Sequence, residues 1–163
     1  MPSVSSKRLS SEGDLPVDAP ERRRLPPLLR KAWYGLNQTF RRRIVHLGIT
    51  PDQFTVMRIL QESEGLTQRQ LMELMSSDPN TVASLLERME KSELVRRIPH
   101  PRDRRAYQVE LQPGGQRKFQ LAREIASSLQ REILEVLPET QREDFLAHLA
   151  LVAQACREVA DKA

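Results

Sequence analysis

A chain of 163 residues, 29% of them charged, with a net charge of +4, one cysteine and three histidines, has the length of one domain that buries a core without covalent staples. Cys156 alone excludes an intramolecular disulfide or a cysteine zinc site, and His46, His100 and His148 stand apart without ligand spacing. There is no glycine-rich phosphate loop, nucleophile elbow or paired catalytic carboxylates, no run near the roughly 18 to 20 apolar residues that span a bilayer, and no apolar core of a signal peptide. The expectation is a cytoplasmic protein that is not an enzyme and uses no metal, cofactor or membrane.

Residues 1–25 are rich in Ser, Pro and charge and poor in large apolar groups, so a disordered tail is expected there. Arg22, Arg23 and Arg24 read either as phosphate contacts or as a solvated run. Residues 26–48 form the first predicted helix, with Leu29, Trp33, Leu36, Phe40, Ile44 and Leu47 at three- and four-residue steps and Gly48 as the stop. Thr50 and Gln53 then make a capping box, with Pro51 at the first helical position and Ile49 and Phe54 as a staple. That helix continues through Val56, Met57 and Leu60 to Gly65 and braces the two shorter helices after it.

Residues 66–111 organise the rest. Thr67 and Gln70 cap a short helix whose expected buried face is Leu71, Leu74 and Met75, and Ser76 and Ser77 make a turn. Asp78 caps the next helix, with Pro79 at its first position. Val82, Leu85, Leu86 and Met89 are its core stripe, while Asn80, Thr81, Ser84 and Arg88 share a polar face. Small hydrogen-bonding groups with one long cation make either an ordinary polar helix face or one that inserts into a DNA major groove, where Arg pairs with guanine and Asn with adenine, and Pro79 meets a thymine methyl or sugar. Gln68 and Arg69 are candidates for the DNA backbone or for a solvated role.

After Leu94 and Val95 the period changes to that of a hairpin, with residues 96–99 pairing with residues 107–111. Its tip and flank carry Arg96, Arg97, Arg102, Arg104 and Arg105 against Asp103 alone. So concentrated a charge calls for a polyanion such as a phosphate backbone. Asp103 is placed to orient the Arg105 guanidinium, either into a narrow minor groove or merely as a local surface ion pair, with Arg104 on a phosphate. Arg96 and Arg97 alternate in direction, so at most one reaches DNA.

Pro113 starts a long helix to about Leu137 with a seam of Phe119, Ala122, Ala126, Leu129, Ile133 and Val136. Gln112 is a poor cap, so a frayed or shifted start is expected. After Pro138, Thr140 and Glu143 are read as capping a last helix with a second seam of Phe145, Leu149, Val152, Cys156 and Val159. These apolar faces exceed what a small core covers and are expected to bury against a second copy in a two-fold dimer, with Cys156 a buried structural thiol.

The succession through residues 66–95 into Asp103-Arg104-Arg105-Ala106-Tyr107 resembles the MarR family of winged helix-turn-helix regulators, whose wing carries an Asp-x-Arg ahead of the second strand. The likeness runs from about Leu28 to the C-terminus. It implies a mainly α fold with a small β-hairpin wing. A winged helix-turn-helix region (49–112) would lie between an N-terminal dimerisation helix (26–48) and C-terminal dimerisation helices (113–163) that intertwine between protomers. It implies Arg105 in the minor groove, double-stranded DNA with a pseudo-palindromic operator as partner, and a small aromatic or phenolic effector bound near Trp33, Tyr34 and Asn37. Core packing accounts for Trp33 as well. The resulting reading is a homodimeric transcriptional repressor released by a small ligand. Its rivals are a winged-helix module that binds protein, and a redox-controlled regulator acting through Cys156.

Overall fold

The computed structural model describes Pro20 and residues 24–162. Most of the expected tail, Arg22 and Arg23 included, lies outside the described residues. In chain order the elements are α1 (Leu25–Ile44) with a closing 3₁₀ turn (Val45–Leu47), α2 (Pro51–Glu62), α3 (Gln68–Met75), α4 (Pro79–Lys91), β1 (Val95–Pro99), β2 (Tyr107–Leu111), α5 (Pro113–Leu134) and α6 (Glu139–Asp161). Of the described residues, those up to Thr39 are one compact unit and those from Phe40 onward another.

In the first unit, α1 presents Leu28, Leu29, Trp33 and Leu36, all exposed. The apolar stripe read from the sequence is therefore buried only from Phe40 onward, at Phe40 and Ile44.

The second unit is built on α2, α3 and α4. Thr50 and Gln53 form the expected reciprocal cap of α2, which delivers Val56, Met57, Ile59 and Leu60 to the core. Phe54 meets Phe40 edge-on at 5.0 Å and stacks on Phe119 at 5.6 Å between ring centroids, which ties the end of α1 and the start of α5 to α2. The helix ends at Glu62, short of Gly65, which is instead a loop residue with φ +69°. On α4, Val82, Leu85, Leu86 and Met89 are all buried, each worth about 1.5 to 3 kcal/mol relative to exposure.

Leu74 departs from expectation: it is 55% exposed, whereas Leu71 is buried and Met72 and Met75 pack on the core. On so short a helix the inward face is centred on 71, 72 and 75, and position 74 rotates away from it.

The hairpin is antiparallel with Val95 opposite Leu111 and Pro99 opposite Tyr107. A single bridge joins Thr67 to Gln108, reinforced by Val109 N donating to Leu66 O at 2.8 Å and Gln108 Nε2 to Gly65 O at 2.9 Å. The loop before α3 thus holds the second strand of the wing. Glu93, with φ +55°, turns the chain from α4 into β1, a conformation that costs a non-glycine residue about 1 to 2 kcal/mol.

The start of α5 is anchored, not frayed. Gln112 makes no side-chain cap, but its N–H donates to Leu94 O at 2.9 Å and its carbonyl accepts from Gln116 N at 2.9 Å. Backbone bonding thus fixes where the helix begins, although no side chain caps its first N–H groups. Along α5 the seam holds at Phe119, Ala122 and Leu129, then fails at Ile133 and at Val136, which is 84% exposed; Leu134 is the buried residue there. The helix stops at Leu134, so Val136 no longer follows its register.

The helix α6 has no side-chain cap, and the expected Thr140/Glu143 box is absent. Pro138 occupies the cap position with extended backbone, so Thr140 already lies inside the first turn. Its seam residues Phe145, Leu149 and Val159 are exposed, no residue of α6 is buried, and Cys156 is exposed as well, contrary to a buried thiol in the single chain.

Candidate nucleic-acid interface

Two local devices hold α4 in place. The Thr67 hydroxyl accepts from Gln70 N at 3.2 Å while Gln70 Oε1 accepts from Thr67 N at 2.9 Å, fixing the start of α3. At the start of α4, Asp78 Oδ1 accepts from Thr81 N at 2.9 Å and Oδ2 from the Thr81 hydroxyl at 2.5 Å. These bonds, the hydroxyl's first, hold the Asp78 carboxyl below the usual carboxylate range. Because the Thr81 proton is engaged, its hydroxyl offers an incoming group a lone pair and a methyl rather than a donor.

Pro79, Asn80, Thr81, Ser84 and Arg88 are all exposed, so the structure brings these five sequence-derived residues together on the face of α4 opposite its buried stripe. Arg88 Nε donates to Ser84 O at 3.3 Å, laying the guanidinium along the helix surface. Gln68 is half-buried. Arg69 is exposed and pairs with Glu73 at 3.3 Å one turn along α3, a contact worth only a few tenths of a kcal/mol.

The wing's arginines divide into two groups. Arg96 donates through Nε and Nη2 to Glu110 Oε2 at 3.1 and 2.8 Å, across the strands. Arg97 reaches the other way, to Glu90 on α4. Both are therefore committed to carboxylates. Arg102, Arg104 and Arg105, at the tip, are exposed.

Asp103 acts differently from expectation. Its Oδ1 accepts from the Arg105 backbone N–H at 2.9 Å and not from the guanidinium; two residues apart on a tight turn, the amide is the nearer donor. His100 was missed as an organising residue. Its Nδ1 accepts from Arg102 N at 3.2 Å and Asp103 N at 3.0 Å, and its backbone N–H donates to Ala106 O at 3.0 Å. Its position just before a proline in the tip was the one available signal.

Glu90 and Arg97 shift each other's titration. The bond from Arg97 holds the Glu90 carboxyl below its ordinary value near 4.5, and Glu90 raises Arg97. A carboxylate depressed in the folded state contributes stability above its unfolded value and loses it as pH falls through the folded one. The melting-temperature gap between wild type and Glu90→Gln is expected to stay constant from neutral pH down to about 5. Below that it should close, and a gap that persists in strong acid would deny the carboxylate this role.

Trp33 and Tyr34 are 63% and 67% exposed, so Trp33 is not a core residue of the single chain, and Asn37 is half-buried. The Tyr34 hydroxyl accepts from Gln38 Nε2 at 3.0 Å. Among the described residues no group of three or more His, Cys, Asp or Glu is arranged to hold a metal ion, and no described helix is long and apolar enough to cross a membrane.

A helix mounted with its polar face outward on a three-helix core, beside a hairpin with an arginine-rich tip, defines a winged helix-turn-helix protein. The MarR family model matches residues 49–107. Over 124 residues the chain is 32% identical to the Transcriptional regulator HosA of Escherichia coli O111:H-, covering 73% of this chain and 92% of that protein. The chain belongs to the MarR family of transcriptional regulators. Its fold is also that of the MepR–DNA complex of S. aureus, with a TM-score of 0.72 and 21% identity over 80% of this chain and 96% of that one. A probable transcriptional regulator from Pseudomonas aeruginosa matches with a TM-score of 0.69 and 29% identity over 77% of this chain and 93% of that one.

Proposed function

We propose that this regulator is a homodimeric, sequence-specific repressor that binds a pseudo-palindromic operator and is released by a small aromatic or phenolic ligand. The observation that carries the DNA reading is the exposed set Asn80, Thr81, Ser84 and Arg88 on one rigid core with the exposed tip arginines. One is suited to base edges in the major groove, the other to phosphates and a narrow minor groove. That MepR was crystallised with DNA, and that NicR of Pseudomonas putida, 32% identical over 88 residues, is named a repressor, agree with it.

The dimer rests on unpartnered apolar surface. The helix α6 carries Phe145, Leu146, Leu149, Leu151 and Val159 without burying one, and α1 exposes Leu28, Leu29 and Trp33. Such continuous faces are costly in water and are covered by a second copy through a two-fold interface. Two copies of α4 would then address successive major grooves about 34 Å apart. The exposed aromatic pair on α1 supports an effector site for a flat, apolar ligand, and a ligand favouring the dimer with its reading helices misplaced would weaken DNA binding by about 1 to 3 kcal/mol.

Selection of binding sites from random duplex DNA at near-physiological salt tests this function. The expected product is an inverted repeat with half-sites one turn apart, bound with an affinity that falls as salt rises, with a logarithmic slope of about −0.9 per phosphate contact. Absence of any motif would overturn sequence-specific binding.

A further inference from the structure

The reading helix and the wing are separate elements, yet one ion pair joins them directly. Glu90, in the last turn of α4, uses both carboxylate oxygens on one residue of β1. Its Oε1 accepts from the Arg97 backbone N–H at 2.9 Å, and its Oε2 from Arg97 Nε at 2.8 Å and Nη2 at 2.5 Å. The two side chains are only 30% and 33% exposed, unlike the solvated pairs Arg69–Glu73 and Lys91–Glu87, whose partners are all at least 59% exposed. Three bonds from one carboxylate to backbone and guanidinium together fix both the position of the strand and the direction of its side chain.

While so engaged, Glu90 spends both oxygens, and Arg97 its Nε–Nη2 edge, on this pair. What the pair holds is geometry: the angle at which β1 leaves α4, and so the place of the tip relative to the face of Asn80 and Arg88. The rest of the wing's base is tied elsewhere, with Arg96 on Glu110 inside the hairpin and β2 on the loop before α3. Among the described residues, Glu90 with Arg97 is the ion pair that runs from the reading helix itself to the wing.

We infer that Glu90 and Arg97 are positioning residues that set the wing's reach into the flanking minor groove against a reading helix docked in the major groove. The inference rests on the DNA reading proposed above. It predicts a defect selective for the wing. The reading helix keeps its half-site preference, and only the contribution of the flanks is lost.

The test compares two duplexes carrying the selected half-sites, one with A·T flanks and one with G·C flanks, bound to full-length protein. Arg105→Ala and Glu90→Gln should each weaken binding to the A·T-flanked duplex by about fivefold or more and leave the G·C-flanked duplex nearly unchanged. The double variant should lose no more than Arg105→Ala alone. Arg97→Lys keeps the charge without the planar fork and should give the same flank-selective loss, so it carries the comparison if Glu90→Gln is too unstable to assay. An equal loss on both duplexes, or a loss that adds fully to that of Arg105→Ala, would overturn the positioning role while leaving the wing as a reader of DNA. If Arg105→Ala and wild type bind both duplexes alike, the wing does not read the flanks and the positioning role falls with it.

Discussion

Arg105→Ala is expected to lower affinity for the selected operator by about 1 to 3 kcal/mol, roughly five- to 150-fold, while leaving the oligomeric state unchanged. The size reflects the surroundings of the residue. Among the described residues its guanidinium meets no carboxylate, and the one side-chain bond of Asp103 goes to its backbone N–H. The tip is thus held in shape by the side chains of Asp103 and His100, which accept from its backbone N–H groups, while the Arg105 cation is left for an external anion. Arg96→Ala is the informative contrast, because that guanidinium already sits on Glu110 and its loss should cost much less in DNA affinity. Fluorescence anisotropy titrations of the two variants, with light scattering to check oligomeric state, decide the matter. Equal effects would mean that the wing acts through bulk charge rather than through one inserted side chain.

Gly115→Ala is expected to destabilise the fold by about 1 to 3 kcal/mol, the usual cost of forcing one extra group into packed surroundings. A Cβ at this buried position would lie 2.2 Å from Leu94 O and 2.8 Å from Leu111 Cδ1. The first of these is backbone and cannot step aside as a side-chain end can. The obstructed carbonyl is also the acceptor for Gln112 N, so relief of the clash would strain the bond that anchors α5. Gly114 is the control on the same turn: a Cβ there would come no closer than 3.2 Å to Glu93 O. Thermal unfolding should therefore separate the two alanine variants clearly, with Gly115→Ala melting about 2 to 12 °C lower. Similar melting temperatures would show that α5 shifts to accommodate the methyl group.

The parts of this fold legible in the sequence were those that local chemistry decides. The Thr50/Gln53 and Thr67/Gln70 boxes close within one turn, so residue identity and spacing suffice to foresee them. The stripe from Val82 to Met89 was legible because a helix of thirteen residues repeats its period often enough to define a face. On α3, with eight residues, the period was too brief to say whether Leu74 or Met72 turned inward. The Thr140/Glu143 pair had the spacing of a box but came after a proline whose fixed backbone angle had already taken the cap position.

The candidate site divides along the same line. The residues of the α4 face were readable from position on a wheel, and the tip arginines from sheer concentration of charge. Which carboxylate each arginine would take was not, because that depends on elements meeting in space. Asp103 found an amide before it found a guanidinium, and Glu90 found a strand that begins only after the chain has turned at Glu93. The anchoring of α5 by the residue before β1 was hidden for the same reason, since Leu94 and Gln112 are separated in sequence by the whole hairpin.

That last contact makes the wing a closed excursion, leaving the core and returning to it at one point, where Gln112 N meets Leu94 O. The base being pinned, a residue added or removed near Arg104 alters the span of the tip without passing displacement on to α5, and its thermodynamic burden grows only logarithmically with length. Divergence among such regulators then has an inexpensive variable in wing length. The reach of the minor-groove probe can be retuned to a new operator while the scaffold that carries the reading helix stays as it was.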